Sequence, residues 1–286
     1  MKRIAIGLAV LLAGIVPPAA AMTFMDVNYV CPIGGERFSA STMGSGTAFG
    51  RYLDGRQHGA LQSPWPLVMC PGNGFVIYKD DFSADELSRL TAAVQSDAYQ
   101  SMRGTETSYW LLAQLFEATG APEEELAGVL QRATWQASAE QYPRYVAAAS
   151  AAFARQCPDG LAPAARDGQW LYCQMLLGEW ERRLSRFEQA RARFQLLEPQ
   201  VQQLLAADGE LFARRQFAAD IQQQLQLIAA ADSRTTLAID ANAEAEATDS
   251  DRAAASAALA VAAAQAADAA QAADATLGEE AEDPQH

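Results

Sequence analysis

Two short turns constrain this chain more than any other feature: CPIGG at Cys31–Gly35 and CPGNG at Cys70–Gly74. Each looks like half of a zinc knuckle, a Cys-Pro-x-Cys-Gly turn. The second cysteine is missing from both, with Gly34 in its place in one turn and Asn73 in the other. A structural zinc site wants four tetrahedral ligands drawn from Cys, His or carboxylate. The local candidates are Cys31, Cys70 and His58, with Asp54 a distant fourth. Two thiolates alone do not close a site, so no metal and no other cofactor is expected.

What else could lock the turns depends on the compartment. Lys2-Arg3, the apolar run Ile4–Val16 and Ala19-Ala20-Ala21 follow the charged, apolar, small-residue order of a secretory signal peptide. Cleavage is expected after Ala21, leaving a protein exported to the periplasm. The run is shorter than the roughly 20 apolar residues of a membrane span, so no stable membrane insertion is expected after cleavage. LLAG at Leu11–Gly14 lacks the following cysteine of a lipoprotein signal, because Ile15 stands there. The rival reading is a retained N-terminal anchor. The formal charge of −14 is concentrated at one end: eleven acidic residues against Arg252 lie from Asp240 onward. A nearly balanced body argues against nucleic acid, which demands a basic face.

Residues 22–82 read as one small β-rich, ribbon-like module, rich in Gly, Ser, Pro and aromatics, with candidate strands at 24–30 and 66–69. At DDFSADEL the pattern changes. Ser83 with Glu86 three residues on is a capping box, flanked by Phe82 and Leu87 at the staple positions, and predicts a helix start. Residues 83–232 are then helical. Tyr109, Leu112, Ala113 and Phe116 recur at i, i+3, i+4 and i+7, as do Leu126, Val129, Leu130 and Ala133. Later stripes are Trp170, Cys173, Leu177, Trp180 and Leu184, then Phe187, Ala190, Phe194 and Leu197, then Phe217, Ile221, Leu225 and Ile228. Stripes of this length joined by short turns predict a mainly α fold of stacked antiparallel helical hairpins. In one of them, Leu177-Gly178 with Phe187, Ala190 and Phe194 has tetratricopeptide spacing, the small residues letting two helices touch. Residues 233–286 read as an Ala-rich, acidic, low-complexity tail with little to bury.

CPIGGERF, RYLDG, PLVMCPGNGFVIYKDDF, YWLLAQLFEATGAP and WLYCQMLLGEWERRLSRFEQARARF together resemble a bacterial family known as domain of unknown function 2225, over roughly residues 30–197. The resemblance implies a cysteine-knuckle module, usually read as a zinc ribbon, followed by tetratricopeptide-like helices, and implies no activity. Cys31 and Cys70 match the first cysteine of each knuckle, and Gly34 and Asn73 depart from the second. Two thiols that a knuckle fold brings together in an oxidising compartment are placed to form a disulfide. Closing a loop of this length contributes about 3–4 kcal/mol in the chain-entropy model. Zinc and free buried cysteines remain the alternatives. Four cysteines permit three pairings. The expected one is Cys31–Cys70 with Cys157–Cys173, the second pair competing with the reading of two separate core cysteines.

Nothing catalytic stands out. His58 and His286 are the two histidines, so a Ser-His-Asp or Cys-His site would rest on His58. CPGNGF lacks the lysine and hydroxyl residue of a phosphate-binding loop. Asp80-Asp81 precede a helix and suit its positive end. The expected function is therefore non-enzymatic binding of another protein or a peptide on a tetratricopeptide-like surface. Tyr172, Met175, Glu179 and Arg182 are expected to face that surface, with Trp110 and Gln114 as their nearest equivalents in the preceding hairpin. The plainer alternative is that Tyr172 and Met175 pack between hairpins. An envelope hydrolase with its site between the two modules, and a structural assembly factor, are the rival functions.

Overall fold

Backbone turns, rather than long strands, build the N-terminal module. The computed structural model describes residues 22–162, 165–204 and 211–241. The expected signal peptide and most of the expected tail lie outside them. Strands β1 (Thr23–Val30) and β2 (Arg37–Ser45) pair antiparallel, from Thr23 opposite Ser45 to Val30 opposite Arg37. Strands β3 (Ala48–Arg51) and β4 (Gln57–Gly59) form a second pair, and β5 (Val68–Met69) and β6 (Val76–Ile77) a third. The two half-knuckles close the first and third pairs with the same hydrogen bonds. The Cys31 N–H donates to Glu36 O at 2.8 Å and the Gly35 N–H to Cys31 O at 3.1 Å; the Cys70 N–H donates to Phe75 O at 2.9 Å and the Gly74 N–H to Cys70 O at 2.8 Å.

The helices begin where the capping box places them. In α1 (Ala84–Gln95) the Ser83 hydroxyl accepts from the Glu86 N–H and the Glu86 carboxylate from the Ser83 N–H. Helix α2 (Asp97–Met102) follows, then α3 (Ser108–Thr119), which Gly120 ends in the left-handed conformation at φ 67°. Next come α4 (Glu123–Gln136), with three glutamates in its first turn, and α5 (Tyr142–Gln156). Helices α6 (Gly168–Arg183), α7 (Phe187–Leu204) and α8 (Leu211–Ala229) complete the array. From α3 to α8 each helix packs on the next, and α6 also meets α8, the neighbour-only pattern of stacked hairpins. No helix among the described residues is long and apolar enough to cross a membrane.

Gly178 explains the tight α6–α7 contact. A Cβ there would sit 2.6 Å from Phe194 Cζ, and Ala190 and Phe194 are fully buried on the facing helix.

Two expected boundaries need correction. Residues 233–241 are not tail: they fold back along β3 and α8, as set out below. The division at residue 82 separates no cores either, since Cys31, Ile33, Cys70, Phe75 and Val76 belong to the same buried cluster as the helices. The Tyr99 hydroxyl donates to Gly74 O at 2.9 Å, and the Leu67 N–H to the Ser108 hydroxyl at 3.0 Å. Helices α2 and α3 thus provide the floor on which the second knuckle sits.

Candidate functional site

The two knuckle turns meet at a disulfide. Cys31 and Cys70 are bonded, with Cα atoms 5.6 Å apart and both residues buried. Asn73, in the position of a missing cysteine, adds a polar cross-tie. Its Nδ2 donates to Ile33 O of the other turn at 2.7 Å, and its Oδ1 accepts from the Phe75 N–H at 2.8 Å. Gly34 faces it without a side chain of its own, its built Cβ position 3.9 Å from Asn73 Nδ2. The other metal candidates go elsewhere. His58 Nδ1 is 3.0 Å from the Tyr52 hydroxyl, and Asp54 accepts from the Arg56 N–H at 3.0 Å. Among the described residues no three His, Cys, Asp or Glu side chains gather as ligands would. The second disulfide joins Cys157, at the end of α5, to Cys173 in α6. It ties consecutive hairpins together.

Tyr172, Met175, Glu179 and Arg182 do lie along one face of α6, but the chain itself covers that face. The turn after β3 presses its tip, Gly55, against helices α4 and α6. A Cβ at Gly55 would lie 3.3 Å from the Tyr172 hydroxyl and 3.4 Å from Gln131 Nε2, and its φ of 85° also favours glycine. Gln131 Nε2 donates to the Tyr172 hydroxyl at 2.9 Å and to Asp54 O at 3.3 Å. Beside this contact is a mainly apolar cavity of about 340 Å³, between Leu53 and Gly55 on one side and Tyr172, Met175, Leu176, Ala213 and Phe217 on the other. Its polar end is formed by Gln216 and by the ion pair of Arg51 with Asp220. Burial pushes the Asp220 carboxyl above its usual range, against the pull of Arg51.

Glu179 and Arg182 were expected at the surface and are instead wholly interior, at 1% and 0% exposure. The Arg182 guanidinium donates to both Glu179 oxygens, at 2.9 and 2.7 Å through Nη2, and to Gln224 Oε1 at 2.8 Å. Gln224 Nε2 donates back to Glu179 at 2.7 Å. Burial raises the Glu179 carboxyl, with Arg182 and Gln224 opposing it. Trp110 is likewise not a free surface. Its ring stacks on Tyr145 at 4.2 Å, with Arg144 lying 4.5 Å from its centroid. Gln114 is half-buried on the same helix, and neither residue lines the cavity that holds Tyr172 and Met175.

What covers the far side of this face is an extended strap, Thr235–Ala241. Tyr52 and Leu237 pair antiparallel, the Leu53 N–H donating to Thr236 O at 3.0 Å and the Ala238 N–H to Arg51 O at 2.8 Å. From the other side, two side-chain amides of α8 read the strap's backbone. Gln223 donates to Leu237 O at 2.7 Å and accepts from the Ile239 N–H at 3.1 Å. Gln216 donates to Ile239 O at 2.8 Å and accepts from the Ala241 N–H at 3.4 Å. Arg182 fixes the turn before the strap, donating to Asp232 O at 2.6 Å and Arg234 O at 3.0 Å. Of the strap's apolar side chains, Leu237 and Ile239 are a little over two-fifths exposed.

Gln216, Gln223 and Gln224 are the residues that sequence reasoning missed. A signal was present: glutamines at i and i+7 on a helix whose apolar stripe is Phe217, Ile221, Leu225 and Ile228. Amides at that spacing share one side of a helix. No family model, no curated protein and no solved structure matches this chain.

Proposed function

We propose that this chain is an exported, non-enzymatic protein that binds another protein or a peptide as an extended segment along the face of α6 and α8. One observation carries the reading: Gln216 and Gln223 each bond a carbonyl of the segment and the N–H two residues further on, opposite a strand edge that pairs with the same segment. Side-chain amides placed so are backbone readers, and backbone pairing with an exposed edge is an established way to recognise extended peptides. The adjoining cavity, mainly apolar with a polar end, suits one anchoring side chain of such a ligand.

Membership of the domain of unknown function 2225 family, and residence in the periplasm after cleavage of residues 1–21, belong to the same proposal. Two disulfides in the described residues support an oxidising compartment. N-terminal sequencing of the periplasmic fraction is expected to begin at Met22; an intact N-terminus on cytoplasmic protein would overturn the export reading. The binding reading is tested on an array of unstructured peptides probed with the purified chain and with Gln216→Ala/Gln223→Ala. A subset should bind the natural chain and lose the double variant. A chain that binds no peptide, or a double variant that binds all of them equally, would sink it.

A further inference from the structure

We infer that the outer edge of β1 is where two copies of this chain join: their β1 strands pair antiparallel about Val27 and make one four-stranded sheet. This surface shares no residue with the α6–α8 face, so the two can be tested apart.

The ribbon that carries the edge is incomplete alone. Strands β1 and β2 form a two-stranded sheet, with no third strand among the described residues, and two strands by themselves are marginal in water. Phe24, Met25 and Val30 are more than half exposed. Natural edges are commonly blunted by lysine, proline or a bulge. TFMDVNYV has neither lysine nor proline, and its irregularity lies at its start, between Thr23 and Phe24.

The first knuckle shows which backbone groups face outward. Cys31 donates its N–H to Glu36 O and accepts the Gly35 N–H at its carbonyl, so its peptide groups face β2. Successive residues of a strand aim theirs at opposite edges. Tyr29, Val27 and Met25 therefore bond toward β2, and Val30, Asn28, Asp26 and Phe24 aim outward. Among the described residues no strand pairs with that outer side, and no turn or loop bond reaches it.

Side-chain chemistry selects the occupant and its register. A two-fold axis through Val27, perpendicular to the sheet, keeps every residue opposite one on its own face. On one face Val27 meets Val27 and Met25 meets Tyr29. On the other Phe24 meets Val30 and Asp26 meets Asn28. Apolar groups thus oppose apolar groups, and Asp26, the strand's one charge, opposes an amide. An axis through Asp26 would set two carboxylates directly opposite, which is destabilising. An axis through Asn28 would set Asp26 against Val30. The outward groups also match: Phe24 with Val30, and Asp26 with Asn28, become the pairs that exchange both N–H···O bonds.

The test uses the full chain. Sedimentation equilibrium at high micromolar concentration should find twice the chain's mass, and a single chain's mass for Asn28→Pro. Proline there removes an outward N–H and spares the ladder to β2. Val27→Cys should form an interchain disulfide on mild oxidation, because the Cα atoms of a non-hydrogen-bonded pair lie about 4.5 Å apart, within that bond's reach. Met25→Cys and Tyr29→Cys should not, since each would lie about 14 Å along the strand from its own copy. On the natural chain, raising the concentration should slow hydrogen exchange at Phe24, Asp26, Asn28 and Val30 by about tenfold or more and leave Met25, Val27 and Tyr29 unchanged. That alternation depends on no variant's folding.

A natural chain that stays a monomer would overturn the inference. So would a dimer that Asn28→Pro leaves intact, or one in which Met25→Cys crosslinks as fast as Val27→Cys. Outward amides already protected in a monomer would overturn it as well, by giving the edge to another part of the chain.

Discussion

Replacing Arg182 by alanine decides whether the α6 face is interior or surface. A surface arginine in an exposed ion pair contributes about 0–1 kcal/mol, and its loss would pass unnoticed. Arg182 is fully buried and bonded to Glu179, Gln224 and the carbonyls of Asp232 and Arg234. Its removal strands the Glu179 carboxylate in a dry site. Breaking one side of a buried pair costs about 3–5 kcal/mol. In a chain of this size, each kcal/mol lowers the midpoint of melting by about 2–4 °C, so a fall of about 6–20 °C is expected by circular dichroism.

The pH dependence gives a second reading of the same perturbation. Glu179 is already raised above its usual value by burial, so the folded state holds its proton more tightly than the unfolded one. A carboxyl with that shift favours folding most below its unfolded pKa, and the contribution is lost as pH rises through the folded pKa. Without Arg182 the shift grows, so the variant's deficit should be larger at pH 8 than at pH 5. Arg182→Met with Glu179→Gln, which removes both charges, should recover much of the loss. A deficit under about 1 kcal/mol, flat with pH, would refute the buried-pair account.

Two further outcomes are expected. Mass spectrometry of unreduced protein should find Cys31 linked to Cys70 and Cys157 to Cys173; with separations of 39 and 16 residues, the chain-entropy model assigns them about 4 and 3 kcal/mol, and denaturant melts of the Cys31→Ser/Cys70→Ser and Cys157→Ser/Cys173→Ser chains should show losses of that order. Gly178→Ala should destabilise by about 1–3 kcal/mol through overpacking, because its Cβ would lie 2.6 Å from Phe194 Cζ; Phe194→Leu in the same chain should return part of it, and a neutral Gly178→Ala melt would mean the two helices are less close than described.

How much of this was legible depended on whether the signal was local. The Ser83–Glu86 box, the Gly120 stop and the α3, α4 and α6 stripes are properties of neighbouring residues, and the structure has each of them. Strand β1 reads from its own residues. The expected strand at 66–69 contains β5, whereas β6 was not expected, because two residues are too few for a period of two to appear. Helix α5 hid because its buried face, Tyr145, Val146, Ala149, Ala152 and Phe153, is partly alanine and gives a weak apolar contrast. The facing of Tyr172, Met175, Glu179 and Arg182 along α6 followed from helical spacing. Their burial did not, since it depends on Gly55, more than a hundred residues earlier, and on Asp232 and Arg234, fifty residues later. Helical spacing can place a residue on a face, and only tertiary contacts determine what covers it.

That covering draws on both sides of the segment. Two main-chain bonds to Arg51 and Leu53 and four side-chain bonds to Gln216 and Gln223 lie along Thr235–Ala241. Arg182 adds two more at the preceding turn, to the Asp232 and Arg234 carbonyls. Arg182 therefore has two duties that share one geometry: it neutralises Glu179 inside the hairpin stack, and it sets where the strap begins. The core side of that arrangement is fixed by burial, and the strap side by groups that water could replace.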